Sequence, residues 1–387
     1  MKLPPIFRLA LAHGSCDLNQ GALPILLPFL VAEHHITYAA AAFIVFAANI
    51  VSTVTQPVFG YVADRQSRPW LIPLGVITAG LGFSCAGIAP SYAIVLLVVA
   101  VSGLGVATFH PEGARQAHSI AGDKKATAMS LFTFGGQLGF AIGPLVATAV
   151  LLSHGLRGTL WFALPAIAVT AFLLSRHGKL STPDEIRKYG RNLSTQNGAR
   201  DAWIPFFCVA AAVVFRSIIF YGLNTFLPLF WVNLLHQSRA AGGFVLTVLV
   251  TGGIIGNLLG GRIADRFGYR IAAFVEFAFL TCLLPLLAIT RNPAWATLLL
   301  VPIGLLLAAP NSSMVVLGQN YLPNHIGLSS GVTMGVAFSF GGMTTPALGW
   351  IADHYGLDAT IFVVALLPVF CAALVLTLPR PKRALLR

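Results

Sequence analysis

Titratable side chains interrupt several apolar stretches of this sequence, and their spacing indicates proton chemistry. His13 and Asp17 lie four residues apart, so they share one face of a helix. Glu112 and Arg115 lie three residues apart and could pair. A poorly hydrated carboxylate tends to bind a proton, and histidine titrates near neutrality. We therefore expect Asp17, or alternatively Glu112, to exchange protons.

Ionised residues inside apolar stretches are also candidates for substrate binding. At the centre of a membrane helix, Asp, Lys or Arg costs roughly 2.5–3.5 kcal/mol on insertion scales, so such residues indicate function. Arg115 and Arg216 could bind an anionic substrate. Two structural alternatives stay open, namely a Glu112–Arg115 pair and a His13 that only packs. The full candidate set is His13, Asp17, His110, Glu112, Arg115, Arg216, Tyr221 and Asn224.

The composition indicates that membrane helices position these residues. Of the 387 residues, 57% are hydrophobic and 9% are charged, whereas a soluble domain carries about 25% charged residues. A membrane helix needs roughly 20 apolar residues. The sequence predicts twelve such segments, at about 6–33, 39–63, 70–89, 92–117, 125–152, 158–176, 203–235, 240–264, 270–290, 294–321, 327–351 and 358–379.

The chain repeats itself on either side of a polar stretch. We predict a six-helix bundle at 1–176, a cytoplasmic linker at 177–202 and a second six-helix bundle at 203–387. Parallel repeats of this kind occur in one large class of transporters. Three pairs of segments carry the repeat: GYVADRQSRP (60–69) matches GRIADRFGYR (261–270), FTFGGQLGFAIGPL (132–145) resembles FSFGGMTTPAL (338–348), and WFALPAIAVTAFLL (161–174) resembles IFVVALLPVFCAALVL (361–376).

Charge and cysteine usage exclude several classes. The net charge is +12, but the basic residues lie in short gaps between apolar runs, which argues against nucleic-acid binding. The five cysteines include no C-x-x-C, so we expect no disulfide or metal role. We find no metal-ligand cluster, nucleophile motif or phosphate loop. The sequence therefore predicts no metal and no cofactor, and it argues against a membrane enzyme or receptor.

The distribution of Lys and Arg predicts the topology. With both termini cytoplasmic, all but four of the 24 Lys and Arg residues fall in cytoplasmic segments or at their edges. The first apolar stretch contains His13 and Asp17, so we expect no cleaved signal peptide. We predict a monomeric multi-pass protein of a bacterial inner membrane. The four exceptions are Arg157, Arg216, Arg239 and Arg291.

The loop after the second segment resembles the signature G-x-x-x-D-R-x-G-R-[KR] of the major facilitator superfamily. Ser67 and Pro69 depart from that pattern in the first copy. The resemblance implies a cytoplasmic gate, in which charges hold the two halves together in one state. A plain positive-inside anchor is the alternative. The matching residues are Gly60, Asp64, Arg65 and Arg68 in the first copy, and Gly261, Asp265, Arg266 and Arg270 in the second.

A glycine-rich stretch in the fifth segment resembles the glycine–proline signature of the superfamily's antiporters. It consists of Gly136, Gly139, Gly143 and Pro144. Ordinary helix packing explains the same spacing, because small residues let helices approach closely. The arginine that many of these antiporters carry in the fourth helix is absent, since Val99 stands there. Coupling schemes that need that arginine do not transfer.

Three segments are similar to the fosmidomycin-resistance subfamily, which exports a phosphonate antibiotic. The resemblance implies an all-α fold of twelve transmembrane helices in two pseudo-symmetric bundles. It also implies alternating access, with helices 1, 4, 7 and 10 lining the cavity. We expect a proton-coupled exporter of a small polar or anionic compound; uptake or exchange of an organic anion is the alternative. The segments are AHGSCDLNQGALPILLPFL (12–30), FHPEGARQA (109–117) and FRSIIFYGLNTFLPLF (215–230).

Overall fold

The computed structural model of the chain divides into two compact units, Met1–Leu193 and Ser194–Arg387. The predicted bundles at 1–176 and 203–387 stay a prediction, and most of the predicted linker lies outside the described residues. The structure describes residues 5–65, 68–120, 125–175, 201–325, 328–329, 332–333 and 337–379.

The described residues of the first unit form six α-helices. A 3₁₀ segment, Gly155–Phe162, joins the last two of them. Pro24, Pro28 and Pro144 lie inside these helices, and membrane helices tolerate such prolines because neighbouring groups satisfy the freed backbone. The helices are α1 Pro5–His34, α2 Tyr38–Arg65, α3 Leu71–Ser84, α4 Tyr92–Ser119, α5 Lys125–His154 and α6 Ala163–Leu174.

The second unit differs from the predicted segments in two places. The predicted segment 294–321 is two helices, because Pro310 cannot donate to the preceding turn and begins a new helix instead. The described part of the predicted segment 327–351 is two helices as well, and the kink at Gly356 falls in the predicted gap before 358–379. The helices are α7 Trp203–Leu229, α8 Arg239–Phe267, α9 Tyr269–Ile289, α10 Pro293–Ala308, α11 Pro310–Tyr321, α12 Ala337–Met343 and α13 Thr345–Thr377.

Ten helical runs in the described part of the chain are long and apolar enough to cross a membrane. This confirms the prediction of a polytopic, all-helical membrane protein. The count of twelve helices stays a prediction, because the described residues give ten runs and two of these are much longer than the others. They are Leu131–Leu174 and Phe340–Thr377.

Backbone contact between α1 and α5 fixes the core of the first unit. A Cβ atom on Gly135 would lie 2.2 Å from the Ala10 carbonyl oxygen, and one on Gly139 would lie 2.1 Å from that of Gly14. Gly143 faces α1 in the same way. The glycines lie four residues apart, on one face of α5, so the two helices approach as closely as small residues allow.

The second unit contains the same kind of contact at the matching position of the sequence repeat. A Cβ atom on Gly341 would lie 2.4 Å from the backbone of Ser217, so α12 lies against α7 as α5 lies against α1. Gly341 follows FSF in the second half, as Gly135 follows FTF in the first. The sequence repeat is therefore also a repeat of helix packing.

Candidate functional site

Helices α1 and α4 bring three titratable side chains together, which we call the His–Asp–His cluster: His13, Asp17 and His110. Asp17 Oδ2 lies 3.1 Å from His13 Nε2, and Asp17 Oδ1 lies 3.2 Å from His110 Nε2. The two Nε2 atoms lie 3.1 Å apart. The predicted contact between His13 and Asp17 is confirmed, and His110 completes the cluster from another helix.

Backbone carbonyls set the tautomer of both imidazoles. His13 Nδ1 lies 2.8 Å from the Phe132 carbonyl oxygen, and His110 Nδ1 lies 3.1 Å from that of Val106. A carbonyl oxygen carries no proton, so each Nδ1–H must donate. In the neutral rings, each Nε2 atom then carries a lone pair. These lone pairs are directed at each other and at the Asp17 carboxylate. Such an arrangement is favourable only when a cation, either a proton or a metal ion, lies between them.

Aromatic rings and a glycine hold His13 in place. The Phe132 ring stacks on the imidazole with centroids 4.2 Å apart, and Phe109 lies 5.5 Å away on another side. A Cβ atom on Gly136 would lie 2.4 Å from His13 Nε2. Gly136 therefore leaves room for the imidazole, whereas the other glycines of its motif face the α1 backbone.

The three members of the cluster differ in exposure. The side chain of His110 is 26% exposed, that of Asp17 is 14% exposed and that of His13 is 9% exposed. His110 is therefore the member of the cluster most open to its surroundings. On the side of Asp17, the Gln20 side-chain amide donates to Oδ1 at 2.9 Å.

Glu112 and Arg115 form the ion pair that their spacing predicts. Arg115 Nε donates to Glu112 Oε2 at 3.1 Å, and its Nη2 donates to Oε1. Gln116 Nε2 donates to the same Oε1 at 3.0 Å. The Glu112 side chain is fully buried. Both of its oxygens therefore accept hydrogen bonds, and charged donors of this kind stabilise the ionised form.

The sequence predicts no metal, and the structure places one group of possible metal ligands in the first unit. One ligand atom from each of His13, Asp17 and His110 lies within 4.8 Å of the other two. Metal-site patterns read from a sequence place ligands a few residues apart, as in H-x-x-x-H. Here the third ligand lies on a different helix, so no spacing rule could find it.

In the second unit, three predicted site residues lie on α7. Arg216 is 4% exposed, and its Nη1 donates to the Leu307 carbonyl oxygen at 3.4 Å. Asn224 is 4% exposed, and its Nδ2 has no hydrogen-bond partner among the described residues. Tyr221 is partly buried. On α9, Glu276 is 5% exposed and borders an apolar cavity of about 460 Å³.

The predicted gate residues lie at helix ends, and their role stays a prediction. In the first copy, the side chains of Gly60, Asp64 and Arg65 lie outside the described residues, and Arg68 is exposed. In the second copy, Gly261 lies in the last two turns of α8 and Asp265 Oδ1 accepts from the Tyr269 hydroxyl at 2.9 Å. Arg266 lies over the Phe267 ring, and Arg270 donates to the carbonyl oxygens of Val375 and Leu376.

Known proteins resemble this chain over nearly its whole length. An uncharacterised MFS-type transporter of Bacillus subtilis, YfnC, is 33% identical over 381 residues, which cover 95% of this chain and 90% of the relative. The fosmidomycin resistance protein of Escherichia coli is 27% identical over 366 residues, with 93% and 89% covered.

Solved structures and family models agree with these relatives. A bacterial homologue of the human lysosomal transporter Spinster, in an inward-facing and occupied conformation, has the same fold with a TM-score of 0.81. It is 14% identical, and the match covers 97% of this chain and 96% of that one. The model of the Major Facilitator Superfamily matches residues 9–346. The chain is therefore a membrane transporter that belongs to the Major Facilitator Superfamily.

Proposed function

We propose that this transporter works by alternating access and exports a small polar or anionic compound in exchange for protons. One observation carries the proposal, namely the His–Asp–His cluster on two membrane helices. An alternating carrier needs a group that binds a cation when open to one side and releases it when open to the other. The cluster can bind a cation in this way, because its three acceptor side chains lie within hydrogen-bond distance of one another.

Asp17 is better suited than Glu112 to the coupling role. The Glu112 carboxylate is fully buried and paired with the Arg115 guanidinium, so its ionised form is stabilised locally. Asp17 contacts two imidazoles, each of which can gain or lose a proton. Protonation of the cluster therefore changes its net charge, whereas Glu112 and Arg115 form a neutral pair.

The relatives support export of a small compound and suggest the first one to test. One of them is a fosmidomycin resistance protein, at 27% identity. Arg216 adds a cation on α7 that is 4% exposed, and a guanidinium binds carboxylate or phosphonate oxygens in a bidentate manner. We therefore take a phosphonate or another small anion as the substrate class.

A count of twelve membrane helices accompanies this proposal. The runs of 44 and 38 residues would extend roughly 66 and 57 Å as straight helices, about twice the thickness of a bilayer core. Each contains a glycine at positive φ, Gly155 at 59° and Gly356 at 89°. Such a residue turns the chain, so each of the two runs crosses the membrane twice. Both termini then lie on the cytoplasmic side of the inner membrane. The loop motifs act as a gate on that side.

The direction of coupling is the decisive test. Purified protein in liposomes receives an outward or inward pH gradient, and transport of labelled fosmidomycin is followed together with internal pH. We expect protons and substrate to move in opposite directions, and a protonophore to abolish the uphill phase. Movement in the same direction would assign the protein to uptake, and transport that ignores the pH gradient would refute proton coupling.

Arg216→Gln tests the charge of the substrate. Glutamine keeps hydrogen-bonding capacity but removes the guanidinium charge. We expect binding of anionic substrates to weaken by roughly ten- to a hundredfold, the range for a lost charge-assisted hydrogen bond of about 1.5–3 kcal/mol. Neutral analogues should lose far less. Arg157→Gln, on a residue outside the proposed site, is the control, and equal losses for anionic and neutral compounds would indicate that Arg216 is structural.

A further inference from the structure

We propose that the His–Asp–His cluster is also a binding site for a divalent transition-metal ion of the zinc class. The claim that the chain binds the metal stands apart from the proposed function. Its consequence for transport rests on that function, since the metal would occupy the atoms that we assign to the proton.

The spacing of the donor atoms fits a zinc-like ion. The two Nε2 atoms are 3.1 Å apart, and each lies 3.1–3.2 Å from a carboxylate oxygen of Asp17. Ligands at about 2.0–2.1 Å from a tetrahedral zinc ion are separated by about 3.3 Å. A small outward movement of the side chains would therefore place an ion among three ligands.

The surroundings also match those of metal-binding histidines. A ligating imidazole usually donates its other N–H to a carboxylate or a backbone carbonyl, which fixes the tautomer and orients the ring. Both histidines do this, His13 to the Phe132 carbonyl and His110 to that of Val106. The backbone thus holds both Nε2 lone pairs in the ligating form, which a site meant only for a hydrogen bond would not require.

The ligand set selects the class of metal. Two imidazoles and one carboxylate suit Zn²⁺, Co²⁺, Ni²⁺ or Fe²⁺, whereas Mg²⁺ and Ca²⁺ prefer sites made of oxygen atoms. Three protein ligands leave one or more positions open, as in exchangeable zinc sites. The partial exposure of His110 favours such exchange. We therefore expect reversible binding of one ion per chain.

Protons and metal ions compete for the same lone pairs. Zinc bound at the cluster would therefore prevent proton exchange and inhibit gradient-driven transport. Inhibition should be reversed by a chelator. The Gln20 amide donates to Asp17, and the α5 residues against the cluster are Phe132 and Gly136.

The test is direct binding to purified protein that carries no polyhistidine tag. Co²⁺ serves as the probe, because its visible absorption reports the coordination number and geometry, and Zn²⁺ is measured by calorimetry and by competition with Co²⁺. We expect one Co²⁺ per chain with a tetrahedral spectrum. Asp17→Asn, His13→Gln and His110→Gln should each weaken binding by at least the 10- to 100-fold that loss of an outer-shell partner causes.

Controls separate the outcomes. His354→Gln, which alters an exposed histidine of the second unit, should bind Co²⁺ like the wild type. His110→Gln is the variant best placed to fold normally, because its side chain is the most exposed of the three. Absence of binding by the wild type, or unchanged affinity in His110→Gln, overturns the metal site. Proton-driven transport without metal binding would leave the proposed function standing, and binding without proton-driven transport would leave the metal site standing.

Discussion

Gly139→Ala is expected to destabilise the first unit. The added Cβ atom would lie 2.1 Å from the carbonyl oxygen of Gly14, and both atoms belong to rigid helices. Neither backbone can move locally, so α1 and α5 must separate. Overpacking of a tight core costs about 1–3 kcal/mol, and more where the neighbours cannot relax. The midpoint temperature of thermal unfolding in detergent should fall by several degrees, and the yield of monodisperse protein should be lower.

Gly253→Ala provides the matched control. Gly253 lies on α8, and a Cβ atom there would lie 3.5 Å from the nearest side-chain atom, Ala308 Cβ, which is an ordinary contact. An alanine in a helix is also favoured intrinsically over glycine by about 1 kcal/mol. Gly253→Ala should therefore unfold at or slightly above the wild-type temperature. If Gly139→Ala unfolds at that same temperature, the tight contact between α1 and α5 is wrong.

The helices were predictable from the sequence because a membrane imposes one rule. Roughly 20 apolar residues in a row are needed to cross the bilayer, and the predicted segments of the first unit coincide with α1 to α5 within a few residues. Predictions failed where the backbone breaks inside an apolar run. Pro310 splits one predicted segment into α10 and α11, whereas the kink at Gly356 inside α13 falls between the predicted segments 327–351 and 358–379, where a break is expected. Hydropathy does not register such breaks, because proline and glycine are common inside membrane helices.

The candidate site was predictable only in part. Contacts between residues three or four apart follow from helix geometry, and the structure confirms both such pairs, His13–Asp17 and Glu112–Arg115. Contacts between helices do not follow from spacing. His110 was a candidate because it lies in an apolar run, but its contact with Asp17 depends on how α4 packs against α1. Phe132 and Gly136, which hold His13, carried no signal of that role.

The glycine motif indicates close helix packing, and the structure shows such packing, but for a set of glycines that differs from the motif. The motif was Gly136, Gly139, Gly143 and Pro144, but the face that contacts α1 consists of Gly135, Gly139 and Gly143. Residues i, i+4 and i+8 of a helix lie near one face, and Gly136 lies about 100° away from Gly135. Gly136 therefore supports the site, whereas the other three determine how closely the helices approach.

Asp17→Asn is expected to abolish gradient-driven transport while leaving the protein folded. Asp17 lies twelve residues after the start of α1, or about 18 Å along a helix of 30 residues, so it lies well inside the apolar run. Asparagine has nearly the same shape, and its carbonyl oxygen can still accept from Gln20. The change removes the one negative charge that balances a proton on His13 or His110. Without that charge, a protonated imidazole in this position is costly.

The measurement uses proteoliposomes with an imposed pH gradient and labelled fosmidomycin. Wild-type protein should drive accumulation against the concentration gradient, and Asp17→Asn should fall to the level of protein-free liposomes. Downhill exchange should persist in the variant, since substrate binding does not require the proton. Asp358→Asn, which alters an aspartate whose side chain is 52% exposed, should transport like the wild type. If Asp17→Asn still accumulates substrate uphill, the coupling role of Asp17 is refuted. Glu112→Gln then becomes the variant to measure, because Glu112 is the alternative proton carrier that the sequence predicts.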